Sequence, residues 1–160
     1  MFDDSTAANH LSPLMPFALV GGELPLSMMD LSAMHPTTED SNTLIKFFFE
    51  SVNPFIRVLH QGHFGKELGQ YRRGTFFLPR EFEALLFSIY TLVVSSLRPE
   101  IVERAFLTKK NALLGRFQHA AQVALSRVNF YKTDKILTLQ ALLHYVVSCI
   151  KFILYPWNLS

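Results

Sequence analysis

Residues 80–97, REFEALLFSIYTLVVSSL, form the stretch that most restricts the fold of this chain. Wound as an α-helix, this stretch is apolar on nearly every side and keeps only a narrow band of Ser88, Thr91 and Ser95. A helix that is apolar all round has to be covered by other elements, and the apolar run is shorter than the roughly 20 residues that a bilayer span requires. The segment is therefore predicted to be the central, buried helix of a helical domain.

A second apolar periodicity precedes the central segment and contains a proline. From Thr37 onward, residues four or three apart form one apolar face, which consists of Leu44, Phe48, Val52, Phe55 and Leu59. Pro54 lies inside this pattern, and proline removes one backbone donor and crowds the preceding helical turn. We therefore expect a helix that is redirected at Pro54, not one that ends there.

The remaining periodic segments are also helical. They cover residues 64–72, which stop before a left-handed cap at Gly74, a region that opens at Pro99, and residues 109–129 and 138–154. No segment alternates with period two for long enough to indicate a strand. The predicted fold class is all-α with about five or six helices. Residues 1–36 are expected to be a poorly ordered lead-in, residues 37–150 the helical domain and residues 151–160 a divergent tail.

The last of these helices carries a polar stripe of Gln140, His144, Ser148 and Lys151. Its other side is apolar, and the stripe favours a helix packed through that apolar side over a membrane span. A membrane-associated protein is nevertheless kept as a third alternative for the whole chain.

Composition excludes several classes of protein. The chain has 160 residues, a length typical of one domain, and its formal net charge of +2 is too small and too dispersed to indicate nucleic-acid binding. Its one cysteine, Cys149, rules out an intramolecular disulfide and a cysteine-based zinc cluster within these residues. The two aspartates near the N-terminus do not fit a secretory signal, so an intracellular location is expected.

The only local arrangement that could begin a metal site is His60, His63 and Glu67. Zinc needs three or four ligands, and histidines at helix ends more often cap the helix. No nucleophile elbow, glycine-rich phosphate loop or paired acidic motif is present. We therefore predict no catalytic residues, no metal ligands and no cofactor in this chain, and no enzyme activity.

Five segments, in order, resemble the middle regulatory domain of fungal-specific transcription factors of the zinc-cluster family. They are LSAMHP (31–36), FFFESVNPFIRVLHQGHF (47–64), PREFEALLFSIYTLVVSSL (79–97), LLGRFQHAAQVALSRVNF (113–130) and TLQALLHYVV (138–147). In this resemblance Asn53, Pro54 and His60 match the family's kinked entry helix, so a structural role is implied for them. The chain departs from the family at Gly62 and His63, where relatives commonly carry Pro-Thr.

The resemblance implies a partial, all-helical regulatory domain that acts in nuclear regulation of transcription. It also implies that the family's two-zinc cysteine cluster and further helices are missing here, so we expect no DNA contact from this chain and expect protein partners or self-association. The alternative is an autonomous helical binding module for an apolar ligand or a partner helix.

Overall fold

The computed structural model describes residues 30–74, 77–128 and 135–154, with side chains described through Lys151. Within these residues the chain is 82% helical, with six helices and no strand, as the all-α prediction required. The predicted lead-in lies outside the described residues up to position 29, as do residues 155–160 of the predicted tail. The domain boundaries at 36 and 150 stay predictions.

Six helices follow one another along the chain. Helix α1 covers residues 38–56 and consists of Thr38–Phe47, a wider π-helical segment Phe48–Val52 and a last turn Asn53–Ile56. The others are α2 (Gln61–Arg72), α3 (Arg80–Ser96), α4 (Pro99–Phe106), α5 (Lys110–Arg127) and α6 (Ile136–Leu154), and a short 3₁₀ turn, Ser32–Met34, precedes α1. The Thr37 hydroxyl begins α1 by accepting the Asp40 N–H at 3.1 Å, and Gly74 takes the predicted left-handed conformation after α2.

Helix α3 is the centre of the domain, as its sequence predicted. It packs against α6 on one side and α5 on another, and it also contacts α1. Every residue from Ala84 to Ser95 is buried, including the band of Ser88, Thr91 and Ser95. The Thr91 and Ser95 hydroxyls donate to the carbonyls of Phe87 and Leu92 in their own helix, so burying these two groups leaves no unpaired donor. Pro79 is the cap residue before this helix, which begins at Arg80 as predicted.

Two lysines close the C-terminal end of α3. The Lys110 ammonium donates to the carbonyl of Ser95 at 3.2 Å and to that of Leu97 at 2.6 Å, and the Lys151 ammonium donates to the Ser96 hydroxyl at 2.9 Å. Burial lowers the pKa of both lysines. Cations at a helix C-terminus are favoured by the helix dipole, so α5 and α6 are both fixed to the same end of α3.

The orientation of α6 reverses the prediction from its polar stripe. His144 and Ser148 are buried, and Gln140 and Lys151 are partly buried, whereas Leu139, Leu143 and Ile150 of the apolar side are 49%, 42% and 47% exposed. Three members of the stripe are hydrogen-bonded through their side chains, because Gln140 and Lys151 bond to other elements and Ser148 donates to a carbonyl of α6 itself. His144 is paired only through Nδ1, which contacts the Gln140 carbonyl. The side of α6 that faces the domain therefore combines part of the polar stripe with Ala141, Tyr145 and Cys149. No helix among the described residues is long and apolar enough to cross a bilayer.

Candidate functional site: the turn between α1 and α2

The last part of α1 is wider than an ordinary helix, and Pro54 explains why. The Asn53 N–H donates to the Phe48 carbonyl five residues back, which is the π-helical spacing. A proline at position 54 has no N–H, and its ring would collide with the carbonyl four residues earlier in a regular helix. The wider turn moves that carbonyl away, so the helical path continues through Pro54 to Ile56 with no loop at 53–56.

The π segment also corrects the predicted apolar face. Leu44, Phe48 and Val52 are buried as expected, but Phe55 is 87% exposed and Ile56 packs against the core in its place. A π turn contains more residues than an α turn, so it delays the rotation of every side chain that follows. A strict α-helical count therefore assigned position 55 to the wrong side.

Asn53 closes the turn that follows α1. Its side-chain amide donates to the Leu59 carbonyl at 3.0 Å, and its side-chain oxygen accepts the Leu59 N–H at 3.3 Å. Between these residues Arg57 adopts a left-handed backbone with φ of 50°, which costs energy for a residue with a Cβ. The two hydrogen bonds between the Asn53 side chain and the Leu59 backbone hold this strained turn closed.

His60 is the cap residue that immediately precedes helix α2. Its backbone is extended, and its ring nitrogen Nδ1 accepts the His63 N–H at 3.4 Å, a long bond at the N-terminus of α2. Helix α2 accordingly begins at Gln61, three residues earlier than predicted, and Gly62 is accommodated within its first turn. Asn53, Pro54 and His60 therefore act together: they shape the end of α1, close the turn that follows it and cap the beginning of α2.

Helix α6 is attached to the same turn. The Gln140 side chain donates to the Val58 carbonyl at 3.0 Å across the domain. Four residues further along α6, the His144 ring contacts Phe48 of the π segment, with ring centroids 5.2 Å apart. Burial lowers the pKa of His144, and its Nε2 has no hydrogen-bond partner among the described residues. The neutral imidazole is therefore the form that this site accommodates.

A cavity of about 360 Å³ lies beside the turn, between α2 and the beginning of α6. Its walls combine apolar side chains such as Leu59, Phe64 and Ile136 with the polar groups of His63 and Glu67. This volume is at the lower end of the range of small-molecule pockets. The exposed His63 Nδ1 lies 3.7 Å from Glu67 Oε2, an ordinary pair one helical turn apart.

The described residues offer little to a metal ion or to a nucleophilic reaction. No group of three or more His, Cys, Asp or Glu side chains among them could hold a metal. Cys149 is buried, and burial raises the pKa of its thiol, which disfavours the reactive thiolate. The turn between α1 and α2 can hold α1, α2 and α6 in a fixed arrangement. The cavity beside it offers a mainly apolar surface with a few polar groups.

Sequence reasoning singled out Asn53, Pro54 and His60 but could not show how they act together. The hydrogen bonds between Asn53 and Leu59 span a turn in which Arg57 has a left-handed backbone conformation. Nothing in the sequence indicates that an arginine will adopt this conformation. The bond from Gln140 to Val58 joins residues 82 positions apart. The extra residue in the π turn could have been suspected from Pro54 within an apolar periodicity, since π turns often accommodate such residues.

Sequence comparison relates this chain to fungal transcription factors. It is 34% identical over 151 residues to the pyriculol/pyriculariol biosynthesis cluster transcription factor 1 of Pyricularia oryzae, a match that covers 91% of this chain and 20% of that protein. It is 27% identical over 157 residues to the C6 finger domain transcription factor hasF of Aspergillus fumigatus, covering 86% of this chain and 20% of the relative. It is also 29% identical over 118 residues to the aurofusarin cluster transcription factor aurR2 of Gibberella zeae, covering 74% of this chain and 18% of the relative.

The chain is therefore homologous to one segment of these transcription factors and spans about a fifth of their length. This agrees with the predicted resemblance to a partial regulatory region. No family model matches the sequence, and no solved structure shows significant similarity to it.

Proposed function

We propose that this chain is part of the regulatory region of a fungal zinc-cluster transcription factor and acts in the nucleus to regulate transcription. The observation that carries the proposal is the homology to transcription factors over most of the chain. The all-helical fold of the described residues is in line with the proposal. In this proposal the chain is not an enzyme, needs no cofactor and makes no direct contact with DNA.

Electrostatics support the absence of a DNA interface. Specific DNA binding requires lysines and arginines clustered on one face, where they neutralise several phosphates. Two of the lysines, Lys110 and Lys151, instead turn inward to the end of α3, and Lys46 pairs with Glu50 on the surface. Any zinc used by the parent factor would be held by a separate cysteine cluster.

A reporter assay tests this proposal. The chain is fused to a heterologous DNA-binding domain, and transcription from a matching promoter is compared with that domain alone. We expect the fusion to change reporter output in either direction, and we expect Leu86→Asp, which places a charge in the buried face of α3, to abolish the change. The exposed substitution Leu107→Asp serves as the matched control and should leave the output unchanged. Unchanged output from the intact fusion, or specific nanomolar DNA binding by the isolated chain, would contradict the proposal.

A second candidate function is an autonomous helical binding module for an apolar ligand or a partner helix. It is favoured by the cavity of about 360 Å³ beside the turn and by the exposed apolar side of α6. Loss of reporter activity together with retained ligand or helix binding by the isolated chain would favour this second function over the first.

A further inference from the structure

A second cavity, of about 210 Å³, lies between α1, α2 and α3, away from the turn. Its inner walls are apolar and include Leu68, Leu78 and Leu86. The Ser41 hydroxyl, the Tyr90 hydroxyl and the Arg72 guanidinium are joined by hydrogen bonds and form a polar side of this space, and His35 and Thr38 also line it. We call this space the Arg72 cavity.

The hydrogen bonds on the polar side leave donors without acceptors. Arg72 Nη2 donates to Ser41 Oγ at 2.8 Å, and Ser41 Oγ lies 2.7 Å from the Tyr90 phenol oxygen. One of these two hydroxyls donates to the other, so the second hydroxyl hydrogen has no acceptor among the described residues, whichever way the bond points. Ser41 and Tyr90 are only 5% and 1% exposed, so bulk water has little access to this hydrogen.

The charge on this side of the cavity is positive. Arg72 forms hydrogen bonds with the neutral oxygens of Ser41 and Asn42 and no ion pair with a carboxylate of the described residues. A guanidinium has five N–H donors, of which these contacts use two. The described residues of the cavity wall include no aspartate or glutamate, and Glu83 is paired with His35 at 3.0 Å.

We propose that the Arg72 cavity binds a small monocarboxylic acid, with the carboxylate on Arg72 and the free hydroxyl hydrogen, and with the apolar body against Leu68, Leu78 and Leu86. A carboxylate supplies the acceptors and the negative charge that this side lacks, and arginine binds carboxylates in a two-point geometry. A volume of about 210 Å³ corresponds to about seven waters at ~30 Å³ each, so the acid is short. The site does not depend on a role in transcription.

The test uses three probes of the same length on the full chain: hexanoate, hexanamide and 1-hexanol. Saturation-transfer NMR titrations should give hexanoate a Kd of about 1 mM or tighter, in line with its few non-hydrogen atoms. The amide and the alcohol should bind about tenfold or more weakly, since they lack the charge. Arg72→Gln should weaken hexanoate about tenfold or more, and the neighbouring Arg73→Gln, outside the cavity wall, should not change it.

Leu78→Trp fills the cavity from its apolar side and should abolish hexanoate binding while leaving Arg72 in place. Circular dichroism of each variant shows whether it is folded, and the comparison of the three probes on the unaltered chain is decisive if a variant is not. Equal binding of the three probes overturns the proposal, as does no saturable hexanoate binding at 10-fold the expected Kd, or hexanoate binding that Arg72→Gln leaves unchanged in a folded protein.

Discussion

Replacing Asn53 by alanine removes the side chain that closes the turn between α1 and α2. The two hydrogen bonds to Leu59, at 3.0 and 3.3 Å, are lost together, and each contributes roughly 0.5–1.5 kcal/mol net. Alanine recovers about 0.5 kcal/mol through its higher helix propensity. We therefore expect a loss of about 1.5 kcal/mol in the free energy of unfolding, which for a chain of this length lowers Tm by roughly 3–6 °C.

Urea unfolding followed by circular dichroism measures the global loss, and hydrogen exchange of the Leu59 amide reports the local one. Leu59 should exchange faster in Asn53→Ala by a larger factor than amides in the centre of α3, because the turn opens before the domain unfolds. Asn53→Asp keeps the acceptor for the Leu59 N–H but turns the donor into a second oxygen facing the Leu59 carbonyl. Asn53→Asp should therefore also be less stable than the unaltered chain. Since aspartate and asparagine have nearly the same volume, this result would assign the loss to the hydrogen bonds.

Asn111→Ala is the matched control, since Asn111 is exposed in the first turn of α5. It should change the unfolding free energy by no more than about 0.5 kcal/mol. If Asn53→Ala were as stable as the control, with unchanged exchange at Leu59, the turn would not depend on Asn53 and the structural reading of the motif would be refuted.

Three further expectations concern histidines and the surface of α6. Burial lowers the pKa of His144 below its unfolded value of about 6.5, so the unfolded state binds the proton more readily and stability should fall as pH decreases through that value, by at most ~1.4 kcal/mol per pH unit. Unfolding at pH 7.5 and 5.5 should show this slope, and His144→Leu should reduce it. His60→Ala and His63→Ala should leave zinc content by mass spectrometry unchanged, and stoichiometric zinc lost in either variant would reverse the assignment. His63→Ala should leave Tm nearly unchanged, and His60→Ala should lower it only slightly, because the bond that caps α2 is long at 3.4 Å. The isolated chain should self-associate through the exposed apolar side of α6, so sedimentation should show more monomer for Leu143→Glu, and a wild-type chain that is already monomeric would rule this out.

Helix positions followed from the sequence wherever one face of the periodicity was unambiguous. The central helix α3 is apolar on all sides, so burial was its only option, and the cap at Thr37 and the left-handed Gly74 are fixed by local chemistry. The turn at 57–60 was not predictable, because it depends on a side chain, Asn53, bonding to backbone that local propensity leaves undefined. The sequence identified Asn53, Pro54 and His60 as motif residues, but only the structure shows how they act together.

The orientation of α6 shows a limit of predicting the buried face of a helix from its pattern of polar and apolar residues. Serine and histidine in a helix can bond to a carbonyl three or four residues back, as Ser148 does to Tyr145 and His144 to Gln140, which lowers the cost of burying such residues. The stripe then serves the domain twice, since Gln140 reaches the turn at Val58 and Lys151 reaches the end of α3. Helix α6 also packs on the core through Ala141, Tyr145 and Cys149, but it leaves Leu139, Leu143 and Ile150 for another surface. The relatives are about five times as long as the matched segment. The polarity of α6 therefore fits a segment whose apolar side is covered within a larger assembly, and the self-association expected of the isolated chain is the measurable consequence of that arrangement.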